Sequence, residues 1–460
     1  MTVSLWDSAL FAGMVSTTEM RAVFSDRARI RTWLDVLAAQ AEIQGRFGLI
    51  PRDCADIIAR RAAEIDILPS ELAQEAEQVG RPILPLVRRL AEACPGESGQ
   101  WVHYHGTTQD ILDTSAAVQQ TRAMSFLQAA LADLLEMLSG LAEAHAATPM
   151  AARTNGRHAR PITFGFKVAG WAAEMARSEA RLAQLSKRAI CGQFGGATGS
   201  FSPPAPGSPD IRRALMQRLG LPEPDLAWHA ARDRPAELVA GLALLSAGLG
   251  RLGADIGRMS IEEIGELDIR ETDSATGQSS TMPHKRNPRD LETLGATASM
   301  SAGLPSAMLH AMARQLDERN GAGWIPEWEI VPQAFLLCSG GLAAAGRVLR
   351  SLVVKPDRML DNLRFGWLGA EADRLTALLA PKLGERIAHD LIQDACGDQN
   401  VRDGTDPLAA AVTTLATARG LTMGDLSGPR ATALQTGLAE QECLAVLGRL
   451  RLTAREARYA

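Results

Sequence analysis

The stretch Leu127-Gln128-Ala129-Ala130-Leu131-Ala132-Asp133-Leu134-Leu135-Glu136-Met137-Leu138-Ser139-Gly140-Leu141 places leucine at 127, 131, 134, 138 and 141, in alternating steps of four and three. That spacing puts the five side chains on one stripe of an α-helix. A stripe sustained over several turns reads as the seam of a long helix packed on other long helices. Leu245, Leu249, Leu252, Ile256 and Met259 repeat the pattern further along the chain. Two such seams predict a helix bundle; the alternative is two unrelated amphipathic surface helices.

Composition agrees with helices. Of 460 residues, 46% are hydrophobic but only 4% aromatic, and the abundant Ala and Leu favour helices over strands. In the amino-terminal region Trp33, Leu34, Leu37, Ala38 and Ala41 follow helical spacing, with Ser25-Asp26 placed to cap that helix. Pro82 and Pro85 are expected to interrupt the pattern, as is Cys94-Pro95-Gly96. A boundary is expected near Val354-Lys355-Pro356. The resulting division is a helical domain over 1–105, a central long-helix bundle over 106–350 with a loop near 265–288, and a helical domain over 351–460.

The net charge of −5, with both signs interspersed, lacks the basic footprint of a nucleic-acid binder. Six scattered cysteines without CxxC spacing read as free thiols in a reducing compartment. The start, Met1-Thr2-Val3-Ser4-Leu5-Trp6-Asp7, has no signal-peptide pattern. No unbroken run of 18 apolar residues occurs, so no membrane span is expected. A cytoplasmic location follows as an expectation.

Two irregular stretches stand out, Gly192 to Pro209 and Asp268 to Pro288; long loops inside compact domains are often functional. The second contains Gly277-Gln278-Ser279-Ser280-Thr281-Met282-Pro283-His284-Lys285-Arg286-Asn287-Pro288. Asn287-Pro288 has the form of a helix start, with Asn as cap and Pro at the first position. A helix amino terminus attracts anions, and Lys285 adds a full charge. Physics alone leaves two readings open, a carboxylate site and a polar loop ending in a capped helix.

The segment resembles the signature loop G-S-S-x-M-P-x-K-x-N of the fumarase/aspartase superfamily. Gln278 stands where many members have a small residue. The resemblance implies that Ser279 is the base for a proton next to a carboxylate, with Ser280, Lys285 and Asn287 binding substrate. A serine hydroxyl needs a lowered pKa and a closed, dry site to act in this way. The resulting dianion needs fixed charge and donors.

Three further segments support the resemblance. His103-Tyr104-His105-Gly106-Thr107-Thr108-Gln109-Asp110-Ile111-Leu112-Asp113-Thr114 resembles H-x-x-x-T-S-x-D-x-x-D-T, which implies substrate contacts for His103, Thr107 and Thr108, with Gln109 adjacent, and makes His103, like His158, a candidate catalytic residue at the end of the substrate opposite Ser279. A metal site at His103 and His105 is the other reading, but no third ligand lies nearby in sequence. Arg153-Thr154-Asn155-Gly156-Arg157-His158-Ala159-Arg160-Pro161-Ile162-Thr163-Phe164-Gly165 resembles R-T-H-x-x-x-A-x-P-x-T-x-G, with Asn155 in place of the usual catalytic histidine. An amide cannot transfer a proton near neutral pH. His158 takes over the proton, binds substrate, or is a packed structural histidine. Gln193 to Ser200 resembles a shared Gly-rich turn; it lacks the Walker ending, which excludes a phosphate cradle. Arg232 and Arg234 each have the geometry to fork a carboxylate, or to pair with Asp233 or Glu237.

The segment Trp324-Ile325-Pro326-Glu327-Trp328-Glu329 resembles the bacterial 3-carboxy-cis,cis-muconate cycloisomerase branch, as does Trp228-His229 before Arg232-Asp233-Arg234. The resemblance implies an all-α fold of three helical domains, and a homotetramer built on a twenty-helix core with active sites shared between chains. It also implies a small polycarboxylate substrate, for which Arg157 or Arg319 would join Lys285 in binding, and a role in aromatic catabolism. No cofactor or metal is implied, and neither nucleic acid nor membrane is expected as a partner. Alternatives are a carbon–nitrogen lyase releasing fumarate from an N-substituted aspartate, and an inactive binding homologue.

Overall fold

A computed structural model describes residues 4–202, 207–270, 277–278, 281–282, 285–365, 367–402, 408–421 and 436–459. The chain is predominantly helical, as expected, and its longest helices are Thr108–Ala144, Phe164–Arg188, Asp233–Ser260 and Glu327–Ser351. Both leucine seams are interior. Leu127, Leu131, Leu134 and Leu138 are buried with Leu141 half-buried, and Leu245, Leu249, Leu252, Ile256 and Met259 are all buried.

Two compact units are present. The first comprises 1–134, 177–254 and 277–348. Its amino-terminal part packs Ile30, Leu34, Leu37, Ile58, Leu72, Leu86 and Leu90 from successive helices into one core. The Asp26–Arg46 helix begins at the expected cap, the Ser25 hydroxyl accepting from the Ala28 N–H. The expected break falls at Pro82, between the helices Pro69–Val79 and Ile83–Ala93, whereas Pro85 interrupts nothing. Pro82 sits at the cap position of Ile83–Ala93 and Pro85 in its first turn, where a missing N–H costs nothing.

The second unit comprises 135–176, 255–276 and 349–460. Its carboxy-terminal helices close over Leu375, Leu379, Leu391, Ile392, Leu408 and Val412. It also contains β-structure that the helical expectation did not include. Pro149–Thr154 pairs antiparallel with Arg157–Thr163, and Leu267–Ile269 with Leu352–Val354.

By length and composition alone, three helical stretches are long and apolar enough to cross a membrane: Thr108–Ala144, Asp233–Ser260 and Gly321–Ser351. Scattered charges interrupt the apolar run in each one. Only 28% of the apolar window in the first is buried within this chain.

Candidate functional site

The amino end of Thr108–Ala144 organises the first unit's polar chemistry. Asp110, in the first turn, is 1% exposed. One carboxylate oxygen accepts from the N–H groups of Thr107 (3.1 Å) and Gly196 (2.9 Å). The other accepts from the Gly195 N–H (3.2 Å) and faces His229 Nε2 at 2.9 Å. Burial pushes this carboxyl up, opposed by His229, Gly196 and Thr107. The Gly-rich turn is therefore stitched to the helix start. Gly196 has a φ of 73°, a backbone that suits glycine.

Arg319 completes this cluster. It is exposed, and donates to the Thr107 hydroxyl at 3.0 Å and the Ala197 carbonyl at 2.6 Å. His103 is in the left-handed region with a φ of 62°. Burial lowers its pKa to about 4, and its Nδ1 has no partner. The ring is therefore neutral at pH 7. Gln109 is buried, with its amide donating to Asp113 (3.2 Å) and the His229 carbonyl (2.9 Å). Thr108 is the first residue of the helix.

One turn further on, Arg232 lies between two carboxylates that sequence reasoning did not pair with it. It donates to Asp113 at 2.8 and 3.1 Å and to Glu327 at 2.8 and 2.5 Å. Trp324 (2.9 Å) and Gln193 (2.5 Å) also donate to Asp113, and Arg232 stacks over Trp228 at 4.5 Å. The expected partners Asp233 and Glu237 are not used by Arg232. Arg234 instead donates to the Arg188 carbonyl, and Glu237 pairs with Arg188. Burial, outweighing Arg232, holds the Glu327 carboxyl up at about 7. A cavity of about 470 Å³ opens beside this network, lined by Trp33, Trp228, Trp328, Arg232 and Glu327 among others; of the residues expected to bind a carboxylate, Arg232 lines it, already paired with Asp113 and Glu327.

In the signature loop, Ser279 and Ser280 lie outside the described residues. The stem of the loop is closed, Gln278 bridging Arg286 and the Gly277 carbonyl accepting from Asn287 N–H (2.8 Å) and Nδ2 (3.3 Å). This corrects the expected cap. The following helix starts at Arg289 with Pro288 at the cap position and no side-chain cap, because the Asn287 side chain is spent on the stem. Lys285 is exposed.

Asn155, Arg157 and His158 belong to the second unit, on the hairpin. Thr154 pairs with Arg157, so Asn155-Gly156 forms a two-residue turn with φ values of 52° and 76°. Positive φ at both central positions marks a type I′ turn, for which Asn-Gly is the preferred dipeptide. That signal was present in the sequence. All three site residues are exposed. His158 is cross-strand from Arg153, which donates to the fully buried Glu266 at 2.9 and 2.6 Å. Asn362 also donates to Glu266 at 2.9 Å. Burial and Arg153 lower the His158 pKa, and Glu266 opposes them. Among the described residues no three His, Cys, Asp or Glu side chains are grouped to hold a metal.

Comparison with known proteins places this geometry in context. The family described as "Lyase" matches residues 14–302. A 3-carboxy-cis,cis-muconate cycloisomerase of Pseudomonas aeruginosa is 36% identical over 391 residues, 84% of each chain. An N-acetyl-S-(2-succino)cysteine lyase of Dickeya dadantii is 33% identical over 85% of each. The crystal structure of a 3-carboxy-cis,cis-muconate lactonizing enzyme from Pseudomonas putida superposes with a TM-score of 0.84, at 31% identity, covering 96% of this chain and 98% of that one.

Proposed function

Since the chain belongs to the lyase family within the fumarase/aspartase superfamily, we propose that it is a cycloisomerase of the 3-carboxy-cis,cis-muconate type. A substrate carboxylate oxygen bonds to a carbon of the conjugated double bond. The π pair moves toward the neighbouring carboxylate to give a dianion, and the Ser279 hydroxyl delivers a proton to the alpha carbon. The product is a lactone, and the reaction is the superfamily's elimination reversed within one molecule. Lys285, Ser280, Arg157 and Arg319 hold carboxylates and stabilise the dianion, and Asn287 contributes by holding the stem of the loop through the Gly277 carbonyl. Thr107, Thr108 and Gln109 shape the seat, Asn155 shapes the hairpin turn, and His158 serves the other end by hydrogen-bonding the attacking carboxylate, which enters as the anion. His103, neutral at pH 7, acts as a hydrogen-bond partner there.

The observation that carries this reading is the Thr107–Arg319 pair at the amino end of Thr108–Ala144. Cation, hydroxyl and helix dipole meet there, as a bound carboxylate requires. The enzyme is proposed to be a cytoplasmic homotetramer in aromatic catabolism, with the domain division 1–105, 106–350 and 351–460. The exposed apolar side chains of Phe126 and Leu244 on two of the long helices support the tetramer.

The test is the ultraviolet absorbance of 3-carboxy-cis,cis-muconate over time, with the parent enzyme and with Ser279→Ala. Rapid loss with the parent alone supports both the substrate and the base. No loss with either sinks the muconate reading and turns the search to succinyl substrates, with fumarate release as the readout.

A further inference from the structure

We propose that Asp110 is a positioning residue that aims the Arg319 guanidinium, an inference resting on the reading above that Arg319 takes a substrate carboxylate. Thr107 occupies the cap position of Thr108–Ala144 and Asp110 the third helical position. The Asp110 carboxylate reaches back to the Thr107 N–H, one half of a capping box. The other half is absent. The Thr107 hydroxyl turns away from the helix and accepts from Arg319 Nη1 at 3.0 Å.

The second support of Arg319 has the same origin. Its Nη2 donates to the Ala197 carbonyl at 2.6 Å. Ala197 follows Gly196, whose N–H is held at 2.9 Å by the same Asp110 oxygen that holds Thr107. Gly195 and His229 occupy the other oxygen. One buried carboxylate thus clamps both backbone segments that seat the guanidinium. A guanidinium has five N–H donors in a rigid plane, so fixing two of them fixes the direction of the rest. A small rotation of either segment would turn the exposed edge of Arg319 away from a carboxylate, and orientation governs the strength of a forked pair.

Asp110→Asn keeps the shape but presents an NH2 to one of the two pairs of donors. The test is calorimetric titration with tricarballylate, an unreactive tricarboxylate, on the full-length protein. Six forms are compared: the parent, Arg319→Gln, Asp110→Asn, Thr107→Val, and the two double variants with Arg319→Gln. Arg319→Gln is expected to weaken binding by about tenfold or more. Asp110→Asn and Thr107→Val are each expected to weaken it severalfold in the parent and to have no further effect in the Arg319→Gln background. Parent-like binding by Arg319→Gln would overturn the carboxylate reading of Arg319 itself, and the positioning role with it. Weakening by Arg319→Gln, with parent-like binding by Asp110→Asn and Thr107→Val, would overturn only the positioning role. Equal weakening by Asp110→Asn in both backgrounds would also overturn it, since the residue would then act through the fold alone. Should Asp110→Asn fail to fold, Asp110→Glu carries the decision by the same comparison, because it keeps the charge but displaces the carboxylate from the Thr107 and Gly196 N–H groups.

Discussion

Arg232 holds Glu327 through two parallel hydrogen bonds, Nε to Oε1 at 2.8 Å and Nη2 to Oε2 at 2.5 Å, where the side chains are only 1% and 7% exposed. Burial raises Glu327 from 4.5 to about 7 against the pull of Arg232, and Asp113, which shares the same guanidinium, adds to the rise. The folded state therefore keeps a proton that the unfolded state releases. This contribution to stability is present in full below about pH 4.5 and is lost as pH rises through about 7. Glu327→Gln, which mimics the protonated acid, should melt near the parent temperature at pH 5 and gain on the parent toward pH 7.5. A constant difference across that window would mean that Glu327 is charged throughout.

The Asn155-Gly156 turn predicts a rescue pattern. If Asn155 acts through its backbone, with a φ of 52°, Asn155→Gly should retain turnover and stability. Asn155→Ala should lose roughly 1 kcal/mol, the cost of a left-handed backbone for an ordinary residue. Thermal melts and kcat on both variants decide this. Activity lost equally in Gly and Ala would show that the amide itself is needed.

Glu266 is fully buried against Arg153, so Glu266→Gln leaves a mostly buried cation short of its partner. Breaking such a pair costs about 3–5 kcal/mol, and the melting temperature should fall accordingly. The His158 pKa should fall as well, because Glu266 is the group that raises it. Titration of the imidazole resonances by NMR checks the direction; an upward move would be inconsistent with this geometry.

The proposed tetramer makes a surface prediction. Phe126 on Thr108–Ala144 is 49% exposed and Leu244 on Asp233–Ser260 is 56% exposed. Light scattering should give four times the 49.1 kDa chain mass for the parent, and a lower multiple for Phe126→Glu combined with Leu244→Glu. An unchanged mass in the double variant would place the interface elsewhere.

What the sequence by itself determined is what depends on neighbours a few residues apart. The two heptad-like seams predicted buried helix stripes, and Ser25 predicted a cap, because helical spacing and capping are local geometry. The Asn155-Gly156 dipeptide carries an equally local hairpin signal, within a segment whose motif resemblance points instead to a replaced histidine. Asn287-Pro288 misled for a related reason: the dipeptide fits a helix cap, yet the Gly277 carbonyl, ten residues earlier, claims the side chain. Only the tertiary structure decided the partners of the charges. Arg232 reaches Asp113 across 119 positions and Glu327 across 95, and Arg319 reaches Thr107 across 212. No periodicity encodes such pairings. They follow from how long helices align, and a buried guanidinium then takes whichever carboxylates that alignment delivers, since leaving it unpaired costs more than any local preference can offset.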